Sequence, residues 1–207
     1  MSRGRVVAIV AGAPVPVTDV DAREARLRGS RHVSALPRPD TSEGRQLRRW
    51  LTQLVVTERV IAAEAAALMV SADTAPAEVH LLPDVSARME MGSVAASVLT
   101  DPLARAVFAR VTAGVSVSAD DVASYHLRNP WRFATRTRGS GGWCDGAAEP
   151  PPLDAVRADI VTHLLAAARR RAFRLWLDVR CAELVELAPG YEHPGDPRQP
   201  DNAHRHP

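Results

Sequence analysis

The residues with the most chemistry to offer lie together near the end of the sequence. Gly190–His206 holds Glu192, His193, Asp196, Asp201, His204 and His206, and three of the chain's seven His fall within it. Imidazole beside carboxylate moves protons near neutral pH, so His193, Asp196, Asp201 and His204 are the candidate catalytic residues. Imidazole nitrogens and carboxylates also suit zinc-like ions. His204-x-His206 offers two nitrogens, with His193 and Asp196 reaching in across Pro194-Gly195. No His-Glu-x-x-His helix accompanies them, and a polar tail lying on the surface through Tyr191 and its prolines accounts for the same residues. The sequence names no metal and implies no cofactor.

Three other constellations stand out. Cys144, in Gly141-Gly142-Trp143-Cys144-Asp145-Gly146, would be a nucleophile if His126 or His163 came near, and is otherwise a loop thiol beside a Trp. Arg45, Arg48 and Arg49, with Arg169, Arg170, Arg171 and Arg174, form either a patch for an anionic partner or solvated helix faces paired with carboxylates. Trp50, Leu54, Trp131, Phe133, Phe173 and Trp176 could line an apolar groove or simply fill the core.

The totals set limits on these chemistries. The chain has 207 residues, 46% hydrophobic and 24% charged, which is enough for a real core in a soluble globular range. A net charge of +2, carried by Arg against Asp and Glu, argues against wholesale nucleic-acid wrapping. Cys144 and Cys181 share no Cys-x-x-Cys pair; they read as free thiols in the cytosol, the alternative being a disulfide between a loop and a helix end. Val6–Val10 is too short for a signal segment, and no run of eighteen apolar residues exists. The expected setting is cytoplasmic, with no membrane and no nucleic acid.

The elements that must position these residues are mostly helices. Val6–Val10 reads as a strand, Gly12-Ala13-Pro14 as a turn, and Val15-Pro16-Val17 as a second extended piece. Thr18 with Asp21 predicts a capped helix over about 20–27. Spacing of Leu47, Trp50, Leu51, Leu54, Val55, Ile61 and Leu68 predicts a long helix from Glu43 to Val70, apolar nearly all round at its middle. Asp84 is the expected N-cap of a helix to Leu99, and Asp101-Pro102 opens another to Val111. Ser118 with Asp121 predicts a capped helix through Leu127, stopped at Asn129-Pro130. Residues 134–152 read as a long loop. Leu153 to Arg180 reads as the second long helix, Ala182–Leu187 as an alternating strand, and Pro189-Gly190 as its end. A strand at each end of the chain predicts that the two pair. The expected fold is mainly α: one helical domain over 1–187 with that small terminal sheet, and a His/Asp/Pro-rich tail over 188–207.

This order, with these local sequences, resembles the chaperone core of SurA-like peptidyl-prolyl isomerases. Val6–Asp21 looks like that family's first strand, turn and first helix, and Gln46–Glu64 like its long second helix. Val117–Phe133 is similar to the helix and Asn-Pro-x-x-Phe stop that lead into the isomerase domain. Pro152–Ile160, continuing to Phe173–Leu177, is similar to the long helix that follows it. Only a short loop stands where the parvulin domain belongs, so isomerase activity does not carry over. The chain also looks like small actinobacterial proteins grouped with malonyl transacylases. Acyl transfer of that kind needs a Gly-x-Ser-x-Gly elbow, which is missing; Gly92-Ser93 falls within an expected helix.

Two functions stay open on the sequence. One is a SurA-like binding protein without an isomerase domain, holding a peptide, a partner protein or an apolar small molecule between its long helices. The other is an isomerase, cyclase or lyase of small-molecule biosynthesis, with the tail closing the site. A homodimer by exchange of terminal strands is compatible with either.

Overall fold

The computed structural model describes residues 5–31, 33–134 and 149–191. Among these lie eight α-helices and one three-stranded antiparallel sheet. The described chain divides into two compact units: residues 1–111 with 174–207, and residues 112–173.

In the first unit, β1 (Val6–Val10) and β2 (Ala13–Pro16) form a hairpin. Its two-residue turn is Ala11-Gly12, with φ of 48° and 79°. Positive φ at both central positions is what a primed hairpin turn demands, because its twist matches that of the strands. The turn therefore lies one residue earlier than Gly12-Ala13-Pro14. The register slips between Val6 and Ala8. That bulge lets both Val7 and Ala8 face inward, where strict alternation would expose one of them. Pro14 and Pro16 sit on an edge strand, where a missing N–H costs nothing to the ladder.

The expected pairing of the chain's two ends is present. β3 (Val185–Leu187) runs antiparallel to β1, with Ala8 opposite Leu187 and Val10 opposite Val185. Ala11 N donates to Leu184 O at 2.9 Å and Ala188 N to Val7 O at 2.9 Å, extending the ladder at both ends. β3 is shorter than the sequence suggests. Ala182–Leu184 belongs to the preceding helix, because Cys181 and Leu184 also continue its apolar spacing.

α1 (Val17–Arg28) follows Pro16 directly, so the Thr18/Asp21 capping reading is wrong: Pro16 is the N-cap and offers no side-chain acceptor. Asp21 and Glu24 instead bind Arg48 of α2 (Ser42–Ala67), with Arg48 Nη1 at 2.9 Å from Glu24. Arg59 Nη2 reaches Asp19 at 2.7 Å, and Arg23 pairs with Glu58. These ions register α1 along α2. Exposed pairs of this kind contribute only about 0–1 kcal/mol each. The apolar middle of α2 supplies more, with Leu51, Leu54, Val56, Val60 and Ile61 all buried. Thr41 caps α2, its hydroxyl accepting from Gly44 N at 3.0 Å.

The single helix expected from Asp84 to Leu99 is two. Asp84 does cap α4 (Val85–Met91), accepting from Ala87 N at 2.8 Å. Gly92, at φ 80° and ψ 156°, then breaks the chain before α5 (Ser93–Val98). A short α3 (Glu78–Leu81) precedes them, and α6 (Pro102–Val111) begins at Pro102 as its N1 proline predicts.

In the second unit, α7 (Ala119–Arg128) carries the complete Ser118/Asp121 capping box and ends at Asn129. Val122, Val156 and Ile160 form its buried centre, with Tyr125, Phe133 and Leu164 packed around them. The second long helix, α8 (Leu153–Leu184), gives residues 153–173 to this unit and 174–184 to the first.

Candidate functional site

A groove of about 500 Å³ opens in the first unit. That falls within the roughly 300–1,000 Å³ typical of ligand sites. Three elements build it. α2 presents Gln53 and Thr57, four residues apart and so on one face. α8 presents Arg174, Leu177, Asp178 and Cys181, which at spacings of three and four share a single stripe. Between them lies the α4–α5 turn, Met91–Ala95.

The floor is apolar and the rim polar. Met91, Leu177, Ala95 and Thr57 are buried, while Arg174, Asp178 and Ser93 are exposed. The rim is held by specific bonds. Trp50 Nε1 donates to Ser93 Oγ at 3.0 Å, and Arg174 Nη1 to the Glu90 carbonyl at 3.2 Å. Thr57 Oγ1 donates to Gln53 O at 2.7 Å. Just beyond Cys181, Arg180 places Nε at 2.9 Å and Nη2 at 2.6 Å from Oε1 of the buried Glu64. That fork fixes the last turns of α8 against α2.

Burial pushes the Cys181 thiol up from its ordinary pKa, and the Asp178 carboxylate pushes it further; a hydrogen bond with Thr57 opposes both. Cys181 is therefore a protonated lining residue, unlike an activated nucleophile. The groove can offer an apolar floor together with amide, hydroxyl, carboxylate and guanidinium groups along its edge.

The sequence-based candidates distribute as follows. Trp50 stands on the groove rim through Ser93. Leu54 is buried in α2, and Trp176 is half-buried on α8, both in the first unit. Phe133 and Trp131 belong to the second unit, and so does Phe173, which is wholly buried. Phe133 is half-buried against Tyr125 and His163, with ring centroids 6.3 and 6.0 Å away, while Trp131 is 52% exposed. His126 Nε2 lies 2.9 Å from Pro151 O. Of the Arg candidates, Arg48 is bound to Asp21 and Glu24, Arg45 reaches the Asp40 carbonyl at 3.3 Å, and Arg170 is buried. His193, Asp196, Asp201 and His204 lie outside the described residues, as does Cys144. Among the described residues no three of His, Cys, Asp and Glu are grouped to hold a metal, and no helix is long and apolar enough to cross a membrane.

Sequence reasoning missed Gln53, Ser93, Asp178 and Cys181. Nothing local marks them, since the groove exists only once α2 and α8 come together across more than a hundred residues. Residues 6–43, which cover the hairpin, α1 and the entry to α2, match a family of unknown function, DUF7158. No curated protein and no solved structure matches the chain.

Proposed function

We propose that the chain is a cytoplasmic SurA-like binding protein without an isomerase domain, which holds an extended peptide, a segment of a partner protein or an apolar small molecule in the groove between α2 and α8. The observation that carries the reading is the groove itself, whose apolar floor and hydrogen-bonding rim are flanked by both long helices. The sheet that joins β1 to β3 supports the reading too, since such a frame is what the SurA-like resemblance implies. Binding of this kind draws affinity from main-chain hydrogen bonds and selectivity from side-chain pockets, and needs no reacting group.

The test is a titration of the protein with an apolar fluorescent dye and with a Leu/Phe-rich extended peptide. The reading expects saturable binding that weakens in Trp50→Ala, because the Ser93 side of the rim loses its anchor. Absence of binding of dye and peptide at high micromolar concentration would refute it.

A second reading, a biosynthetic isomerase, cyclase or lyase closed by the tail, is favoured by one contact. Gln53, which lines the groove, donates Nε2 to the Tyr191 carbonyl at 3.3 Å, so His193 and Asp196 follow in sequence two and five residues after a partner of a groove residue. Elemental analysis of the purified full chain and of a His193→Ala, His204→Ala variant tests its metal form. A stoichiometric transition metal lost in the variant would favour it, and metal-free protein would remove that form.

A further inference from the structure

The groove carries a charge pattern that its apolar floor does not explain. Of its described lining residues only Arg174 and Asp178 are charged, and both stand on α8, about one helical turn apart. The α2 side contributes the neutral Gln53 and Thr57. Opposite charges three or four residues apart on a helix are neighbours and readily pair. Elsewhere on α8 they do: Arg157 binds Asp154 and Arg180 binds Glu183. Arg174 and Asp178 stay apart. The Arg174 guanidinium is drawn to α4, where Nη1 donates to the Glu90 carbonyl at 3.2 Å. Asp178 makes no hydrogen bond or ion pair with any described residue, and its charge acts on the neighbouring Cys181 thiol instead. The rim thus holds a cation and an anion side by side, neither neutralised by the other.

Their spacing has a counterpart in an extended chain. Four residues of helix, Arg174 to Asp178, rise about 6 Å. Two residues of an extended segment span about 6.6 Å, and side chains two apart point to the same side. The residue between them points to the other side. In a segment lying along the groove, the flanking side chains can reach the rim while the middle one meets Leu177, Met91 and Ala95, all buried. An acid–apolar–base triplet therefore complements rim and floor together.

We propose that the groove selects extended client segments of the pattern acid–apolar–base, with the acidic side chain on Arg174, the basic one on Asp178 and the apolar one on the floor at Leu177 and Met91. The inference rests on the groove being the client site, and it gives that site its charge preference. Exposed ion pairs of this kind contribute up to about fivefold each, so two of them favour the matched segment roughly tenfold.

The experiment titrates the full chain calorimetrically with four peptides blocked at both ends: Leu-Glu-Leu-Lys-Leu, Leu-Gln-Leu-Gln-Leu, Leu-Glu-Leu-Glu-Leu and Leu-Lys-Leu-Lys-Leu. The Glu/Lys peptide should bind roughly tenfold tighter than the Gln peptide, and tighter than either like-charged one. Asp178→Arg should hand the preference to the Glu/Glu peptide, and Arg174→Asp should hand it to the Lys/Lys peptide. Both positions are exposed, so each variant should keep the parent's melting temperature. An order of affinities that the two variants leave unchanged would overturn the proposal. If all four peptides bind the parent equally, the charge preference is lost and the client site stands. If none of them binds at high micromolar concentration, the client site itself is lost and the preference with it.

Discussion

Replacing Gly92 by Ala isolates a single physical term at the edge of the groove. Gly92 ends α4 and begins α5 at φ 80° and ψ 156°, a region that residues with a Cβ rarely enter. A Cβ built there meets nothing within 4 Å, so no steric clash adds to the backbone cost. Holding a non-glycine residue in such a conformation costs about 1–3 kcal/mol. For a chain of this size each kcal/mol moves the melting temperature by about 2–4 °C, so Gly92→Ala should melt about 2–12 °C lower. Gly114 provides the matched control. Its Cβ would also meet nothing within 4 Å, but its φ is not positive. There Ala restricts the unfolded chain without straining the folded one, and Gly114→Ala should be neutral or gain up to about 1 kcal/mol. Thermal and urea unfolding followed by circular dichroism measure both. A Gly92→Ala protein as stable as the parent, or equal losses at the two positions, would refute the reasoning.

Other outcomes follow from particular contacts. Ser118→Ala removes half of the α7 capping box and should cost about 0.5–2 kcal/mol in urea unfolding. The hydrogen bond from Ser118 holds the Asp121 carboxyl below its ordinary pKa. A depressed folded value means its stabilisation is complete above the ordinary carboxylate range and is lost as pH falls through and below that range; Ser118→Ala should flatten this acid loss in a stability–pH series. Cys181 alkylation should stay slow at neutral pH and rise only above the ordinary thiol range, and Asp178→Asn should bring that rise to somewhat lower pH; a rate matching a free thiol at pH 7 contradicts the burial. Phe173→Ala should cost about 3–5 kcal/mol, because the ring is wholly buried. Trp176→Ala, at a half-buried ring, should cost less, and a reversed order in calorimetry would contradict the packing.

The parts of this fold that could be read from the sequence were those encoded by neighbouring residues. Ser118 and Asp121 stand three apart, Asp84 precedes a helix, and Pro102 occupies a first helical position, and each acts where expected. Pairing of the chain ends was legible because both ends carry apolar extended runs. The break at Gly92 was hidden because the pattern around it stays compatible with a helix, and one glycine inside a helical pattern is weak punctuation. The end of α8 was hidden for a similar reason: Ala182–Leu187 alternates, but Leu184 lies three residues after Cys181 and fits the helix equally well. Of the groove, sequence reasoning singled out Trp50, which bonds its rim, and Arg174, read there as part of an arginine patch. Gln53, Thr57, Asp178 and Cys181 are ordinary helix residues, and only tertiary packing makes them neighbours.

The most direct test of the groove as a binding site is a map of backbone amide shifts in the full chain as a Leu/Phe-rich extended peptide is added. The account predicts saturable changes gathered at Gln53, Thr57, Ser93, Leu177, Asp178 and Cys181, with the Trp50 indole N–H among them. Shifts confined to other residues, or a spectrum unchanged at high micromolar peptide, would contradict it.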